Sequence, residues 1–357
     1  MSINVLDYTT GRNYLMIHGD SCEVLAGLPE NSIGLSVSSW PFSDQYTYSD
    51  SINDLGNSDG DGQFFEQMRY LLPELYRVTR PGRMAIVHAK DRIVYGSKSG
   101  GNFHINPFSD DCIRAMTRYG WLCYGRITVA TDPVRENKQT HRLTHGELKK
   151  DASKMGVGMP EYVLLFRKPP TDTSNLYADE PVTSCDSEDY PLGRWQIDAN
   201  SLWRSNGVRL LQPWETNGYD YRAHVAHLQG LDEQGLLGRA NGRPIPTDSP
   251  WVWWDINRLD VLNAELANTN RADEAHICPL QLDLTERCIQ RWSNPGDVVL
   301  DPFAGLGTVP YVALQMGRKA VGIDLKREYY QAAVRFLQSL EFKQQQPTFF
   351  DLLEQEV

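Results

Sequence analysis

The chain has no CxxC pair and no cluster of histidines and cysteines at zinc spacing, so a zinc finger or zinc ribbon is excluded and no metal is expected. Its six cysteines (Cys22, Cys112, Cys123, Cys185, Cys278 and Cys288) are scattered, as the reduced thiols of a cytoplasmic protein are. The first residues lack a basic-then-apolar leader, and no apolar run is long enough to cross a bilayer. The expectation is a soluble, intracellular protein with no membrane partner. Positive charge is also in deficit: 35 basic against 46 acidic side chains leave a net charge of −11. The whole chain does not advertise nucleic-acid binding, so any such surface must be local. Neither an internal repeat nor the dinucleotide fingerprint GxGxxG is present.

What is present is an interrupted α/β pattern. With 357 residues, 41% of them hydrophobic, the chain can bury a sizeable core and hold one elaborated domain plus an insertion. Short apolar strands are predicted at MIHGD, IGLSVSS, MAIVHA, residues 125–130 and EYVLLF, with amphipathic helices between them at residues 64–78 and 110–119. Pro73 is expected to kink or restart the first of these helices. Residues 49–62, rich in Asp, Gly, Ser and Asn, read as a mobile loop. The texture changes after residue 169. Residues 171–190 carry six acids and no base, which suggests a solvated linker. Residues 191–260 hold six of the nine tryptophans without any clear period, and read as a separate, loop-rich insertion. The α/β texture returns with helices at residues 280–292, 308–316 and 328–340 and strands at VVLD and KAVGID.

The strongest local signal is VVLDPFAGLGTVPYVALQMGRKAVGIDL, residues 298–325. A strand runs into a Gly-rich turn, a helix follows, and a second strand ends in Asp324. Gly305 and Gly307 allow a sharp turn and close approach of backbone to a ligand. An acid ending the second strand is placed to accept hydrogen bonds from ribose hydroxyls.

DPFAGLGT resembles the cofactor-binding motif of the DNA amino-methyltransferases, which methylate cytosine-N4 or adenine-N6. HICPLQLDLTERCIQRWSNPGD resembles the helix that precedes that motif. The motif order matches a permuted class of the family, in which the catalytic motif comes first and the cofactor motif last. The resemblance covers roughly residues 15–168 and 273–340. It implies an α/β, Rossmann-like S-adenosylmethionine-dependent methyltransferase sheet with an inserted target-recognition region. Residues 1–168 would form the catalytic half, 169–272 the linker and recognition insertion, 273–340 the cofactor-binding half and 341–357 a tail. S-adenosylmethionine is the implied cofactor, held by Asp20, Pro279, Asp301, Pro302, Phe303, Gly305, Gly307, Thr308 and Asp324.

Ser39-Trp40-Pro41-Phe42, at the end of the IGLSVSS strand, is similar to the family's Asp/Ser/Asn-Pro-Pro-Tyr/Phe catalytic motif, with Trp40 in place of the first proline. A base amino nitrogen is a poor nucleophile because its lone pair is delocalised into the ring. By analogy with the family, the Ser39 hydroxyl and the Trp40 carbonyl accept hydrogen bonds from that group and aim its lone pair at the methyl donor. Phe42 would stack on a base flipped from the duplex. The carbonyl role survives the change to Trp40, but the proline's rigidity does not. Asp44 is a further candidate acceptor, and Tyr46 and Tyr48 candidate pocket walls. In the family, serine at the first position usually accompanies cytosine, so the resemblance leans towards cytosine-N4 over adenine-N6. The absence of a Pro-Cys nucleophile argues against carbon methylation.

Residues 112–168 carry eleven basic against five acidic side chains, a local positive surface within an acidic protein. Arg135, Lys138, Arg142, Lys149 and Lys150 there, with Arg204 and Arg209 of the insertion, are the expected contacts to double-stranded DNA. The oligomeric state stays open, and a restriction nuclease is a candidate partner. A catalytically silent DNA-binding protein and an RNA or protein methyltransferase are the competing readings.

Overall fold

The computed structural model describes residues 5–43, 47–49, 51–94, 96, 100–101, 104–131, 145–154, 159–183, 239–240, 243–244, 252–253, 256–262 and 279–346. In chain order the elements are β1 (Val5–Thr10), β2 (Tyr14–Gly19), α1 (Ser21–Gly27), β3 (Ile33–Ser39), α2 (Asp61–Val78), β4 (Thr79–Lys90), β5 (Arg92–Val94) and β6 (His104–Asn106). Next come α3 (Phe108–Arg118), β7 (Leu122–Val129), α4 (His145–Lys150), β8 (Glu161–Arg167), β9 (Arg239–Ala240), β10 (Arg243–Pro244) and β11 (Val252–Trp253). The last group is α5 (Leu282–Trp292), β12 (Val298–Asp301), α6 (Thr308–Gln315), β13 (Lys319–Asp324) and α7 (Arg327–Gln345).

Among the described residues, nine strands form one sheet in the order β1-β2-β13-β12-β3-β4-β8-β7-β11. Strands β2, β13, β12, β3 and β4 are mutually parallel, while β8 runs antiparallel to both β4 and β7. The late strands β12 and β13 therefore lie between the early strands β2 and β3, and the sheet draws on both ends of the described chain. Parallel strands covered on both faces need apolar residues at successive positions. Accordingly β3 is buried from Ile33 through Ser38. Neighbouring residues on a strand face opposite layers: Met16, Ile86 and Val299 pack beneath α5, α6 and α7, whereas Ile17, Val87 and Leu300 pack with α1, α2 and α3.

Three features differ from the sequence reading. Strand β1, not anticipated, pairs antiparallel with β2 at the sheet edge and exposes Leu6 and Tyr8. Helix α2 runs unbroken through Pro73. Its inner face, with Phe64, Met68, Leu71 and Leu75 all buried, holds it against the sheet despite the missing backbone donor. Parts of the presumed linker and insertion belong to the main body. Glu180 pairs with Arg80, and β11 adds to the sheet beside β7 with Trp253 fully buried.

The linker segment also closes over a buried ion pair. Arg83, 1% exposed, donates to the Gly34 and Glu180 carbonyls and pairs with the Asp297 carboxylate. Asp297 additionally accepts from the Asn294 amide. Removing one member strands the other charge in the interior. Asp297→Ala is expected to lower unfolding free energy by about 3–5 kcal/mol, measured by urea titration. A loss under about 1 kcal/mol, the range of surface pairs, would contradict the assigned burial.

Candidate active site

In an open α/β sheet, ligands bind beyond the carboxyl ends of the strands, where the strand order reverses. Here the chain passes from β12 to β13 in one direction and from β3 to β4 in the other, so the reversal lies between β12 and β3. A cleft of about 980 Å³, open mouth included, occupies that place. Asp20, Ser21 and Cys22 line it from the end of β2, Ser39 to Phe42 from β3, Asp301 to Ala304 from β12, and Asp324 to Lys326 from β13. Pro279, Leu280, Leu306, Thr308 and Tyr329 complete the wall with Tyr48, Ser49 and Asn53 to Leu55.

The turn after β12 is held by its own Asp301 carboxylate and by the end of β13. The Asp301 carboxylate accepts from the Phe303 amide at 3.0 Å, and the Ala304 amide donates to the Ile323 carbonyl at 2.9 Å. Gly305 sits at φ 53° and its N–H donates to Asp324 Oδ2 at 2.8 Å; Oδ1 of the same carboxylate accepts from the Lys326 amide at 2.8 Å. Each oxygen keeps a second lone pair for a ligand hydroxyl. Burial pushes the Asp324 carboxyl up to about 7, against the lowering effect of those two amides. Burial also pushes the Asp301 carboxyl up, to about 8. Gly307, at φ 82°, precedes α6, and a Cβ there would stand 2.9 Å from that of Ala333 on α7. Its small size serves helix packing rather than the cleft wall.

Asp20 caps α1 by accepting from the Cys22 amide while also lining the cleft. In the stretch 49–62, expected as a mobile loop, residues 49 and 51–57 are organised with Tyr48 around the buried Asp54 carboxylate, which accepts from the amides of Tyr48, Ser49 and Gly56. Trp40 is 1% exposed and packs into the α1–α2–α3 layer, so burial of its indole holds the segment that proline would have stiffened. Its Nε1 has no hydrogen-bond partner among the described residues. Phe42 belongs to the same layer, packed against Phe108 at a centroid distance of 6.4 Å, while contributing to the cleft wall.

Ser39 Oγ lies 3.1 Å from Nδ1 of His88, its register partner on β4. The other ring nitrogen, Nε2, is 3.0 Å from Glu161 Oε2 on β8, and Arg258 grips both Glu161 oxygens at 2.6 and 2.9 Å. Burial alone would raise the Glu161 carboxyl, but His88 and the Arg258 guanidinium hold it well below the usual carboxylate range. None of these three partners was singled out in the sequence. They stand 49 to 219 residues beyond Ser39, and no local motif links them.

Ser39, Trp40, Pro41, Phe42, Asp20, Pro279, Asp301, Pro302, Phe303, Thr308 and Asp324 thus share one cleft, with Gly305 and Gly307 in the turn behind it. Lys149 and Lys150 are exposed on α4. Arg135, Lys138, Arg142, Arg204 and Arg209 lie outside the described residues, as do Asp44, Tyr46 and five of the six insertion tryptophans.

The DNA methylase family of N6 and N4 methyltransferases matches residues 33–335, and the chain belongs to it. Among individual relatives, the type II methyltransferase M1.MboII of Moraxella bovis is 43% identical over 77 residues, which are 22% of this chain and 30% of that protein. The chain thus spans under a third of that relative's length. The PvuII DNA methyltransferase, specific for cytosine-N4, superposes with a TM-score of 0.52 at 16% identity, covering 95% of this chain and 94% of the other. A DNA modification methylase assigned in Thermus thermophilus, solved with S-adenosyl-L-methionine, has a TM-score of 0.50 at 21% identity, covering 90% of this chain and 94% of the other. These likenesses establish a shared fold. Among the described residues no helix is long and apolar enough to cross a membrane.

Proposed function

We propose that the protein transfers a methyl group from S-adenosylmethionine to an exocyclic amino group in double-stranded DNA, with cytosine-N4 preferred over adenine-N6. The observation that carries this reading is the convergence of the Asp-Pro-Phe turn after β12 and the Ser39–Phe42 segment after β3 on one cleft. The residues present fit the cofactor. Asp324 offers acceptors for ribose hydroxyls, and Leu280, Phe303, Leu306 and Tyr329 offer apolar walls for a purine. When bound, the cofactor supplies an electrophilic methyl on a sulfonium. Ser39 and the Trp40 carbonyl would hold the target amino group, and Phe42 would flank the flipped base. Residues 169–272 would carry target recognition, apart from the part that joins the sheet. Arg135, Lys138, Arg142, Lys149, Lys150, Arg204 and Arg209 would meet phosphates and base edges. A DNA substrate fits the cytoplasmic expectation and leaves a restriction nuclease as a candidate partner.

The test is incubation of purified protein with duplex DNA and labelled cofactor, followed by mass spectrometry of the nucleosides. N4-methyl-2′-deoxycytidine is the expected product. N6-methyl-2′-deoxyadenosine alone would reverse the base preference, and no methylated nucleoside would remove the activity.

The raised Asp324 carboxyl gives cofactor binding a pH dependence. Only the ionised form is acceptor on both oxygens, so affinity should strengthen as pH rises through about 7. Calorimetric titration should find Kd up to about tenfold weaker at pH 6 than at pH 8. Asp324→Asn should flatten that slope. A slope already flat in the wild type would detach Asp324 from the ribose.

A further inference from the structure

We propose that His88 is a positioning residue for Ser39, and that it takes up, through the serine hydroxyl, the proton released by the target amino group. The proposal rests on the amino-methyltransferase reading and concerns how a serine, which is no base, accepts a proton in that site.

The Glu161 carboxylate fixes one proton of the hydrogen-bond chain, and the neutral form of the ring fixes the others. Glu161 is ionised and can only accept, so the Nε2 of His88, at 3.0 Å, must carry the hydrogen. A neutral imidazole with Nε2–H leaves Nδ1 as an acceptor. The Ser39 hydroxyl, 3.1 Å away, then donates to Nδ1 and turns its lone pairs outward. Ser39 lines the cleft, so those lone pairs are what an incoming amino group meets. Arg258, with two hydrogen bonds to Glu161, keeps that carboxylate ionised and its orientation defined. Such a pre-set acceptor needs no reorganisation when charge develops.

Methyl transfer forms an N–C bond as the C–S bond breaks, with the electron pair remaining on sulfur as a neutral thioether. The amino nitrogen becomes cationic and must lose one hydrogen. That proton passes to Ser39 Oγ as the serine's own proton passes to His88 Nδ1. The resulting imidazolium faces the Glu161 carboxylate and is neutralised by it. Return of the proton to solvent restores the starting state.

The groups facing His88 are Ser39 from β3 and Glu161 from β8, with Lys90 on its own strand 3.8 Å from Glu161 and Arg258 behind. At saturating DNA and cofactor, wild-type kcat should fall on acidification, because a protonated imidazole can no longer accept from Ser39. His88→Gln, which cannot take the proton, should lower single-turnover kcat by about 10²-fold or more. Cofactor Kd and KM for DNA should change little, and the acid fall should be absent. The double variant Ser39→Ala with His88→Gln should be no slower than Ser39→Ala alone, because His88 acts only through the serine. Independent losses in the double variant, or an acid fall retained in His88→Gln, would overturn the proposal. Should the variant not fold, ¹⁵N spectra of the wild-type imidazole decide. A protonated Nε2 with bare Nδ1 supports the arrangement, and the opposite tautomer refutes it. Failure here is distinct from failure of the methyltransferase reading, since the wild type would still methylate DNA.

Discussion

In a Ser39→Ala variant, single-turnover methyl transfer is expected to fall by about 10²–10³-fold, the loss typical of removing one preorganised polar group from a reacting centre. Two effects combine. The amino group loses the acceptor that holds its lone pair towards the methyl donor, and the released proton loses its path to His88. Cofactor affinity should stay within about twofold, because Asp324 and the turn after β12 make no hydrogen bond to Ser39. The substitution removes only one oxygen from a part-buried strand end, so folding should survive, which thermal unfolding would check. Calorimetry with S-adenosylhomocysteine and rapid-quench methylation separate the two readouts. If turnover were untouched, the Ser39 segment would be a strand end and nothing more.

Gly305→Val should abolish measurable cofactor binding, a loss of more than about 10²-fold. The position sits at φ 53°, in the left-handed region, where a β-branched residue is strongly disfavoured. Valine would push the turn to another conformation and withdraw the N–H that holds Asp324 Oδ2. The carboxylate would then lose its orientation together with the backbone next to it. Gly305→Ala should be milder, costing about 1–2 kcal/mol, because alanine enters the left-handed region with less crowding. Calorimetric titration of both folded variants tests this. Affinity near wild type in the valine variant would take the turn out of the binding site. Gly307 makes a useful contrast. Its space is taken by Ala333, so substitution there should lower stability before it touches affinity.

Legibility in the sequence followed locality. The strands MIHGD, IGLSVSS, EYVLLF, VVLD and KAVGID all formed with shifts of a few residues, because a strand buried on both faces needs a continuous apolar run that composition shows directly. The Asp-Pro-Phe turn was readable because its motif is contiguous, running from Asp301 to Thr308. Strand β1 escaped notice because it lies at the sheet edge with most of its residues exposed and no buried apolar face, and only the three-residue connection to β2 hints at a hairpin. The packing of Glu180 against Arg80 and of Trp253 under the sheet edge escaped for another reason. Each depends on a partner some 100 or more residues away, Arg80 in one case and β7 in the other.

The sequence by itself determined the α/β class, which follows from apolar periodicity and from turn chemistry confined to a few neighbouring residues. Its resemblance to the amino-methyltransferases added that the sheet draws on both ends of the chain and which two segments meet at the cleft. Only the tertiary structure decided which side chains stand behind Ser39. Strand pairing sets His88 beside Ser39 and Glu161 on the next strand, and the chain returns after β11 to bring Arg258 onto Glu161. A hydrogen bond is satisfied over about 3 Å whatever the separation along the chain, so its partners carry no sequence signature until the sheet is assembled.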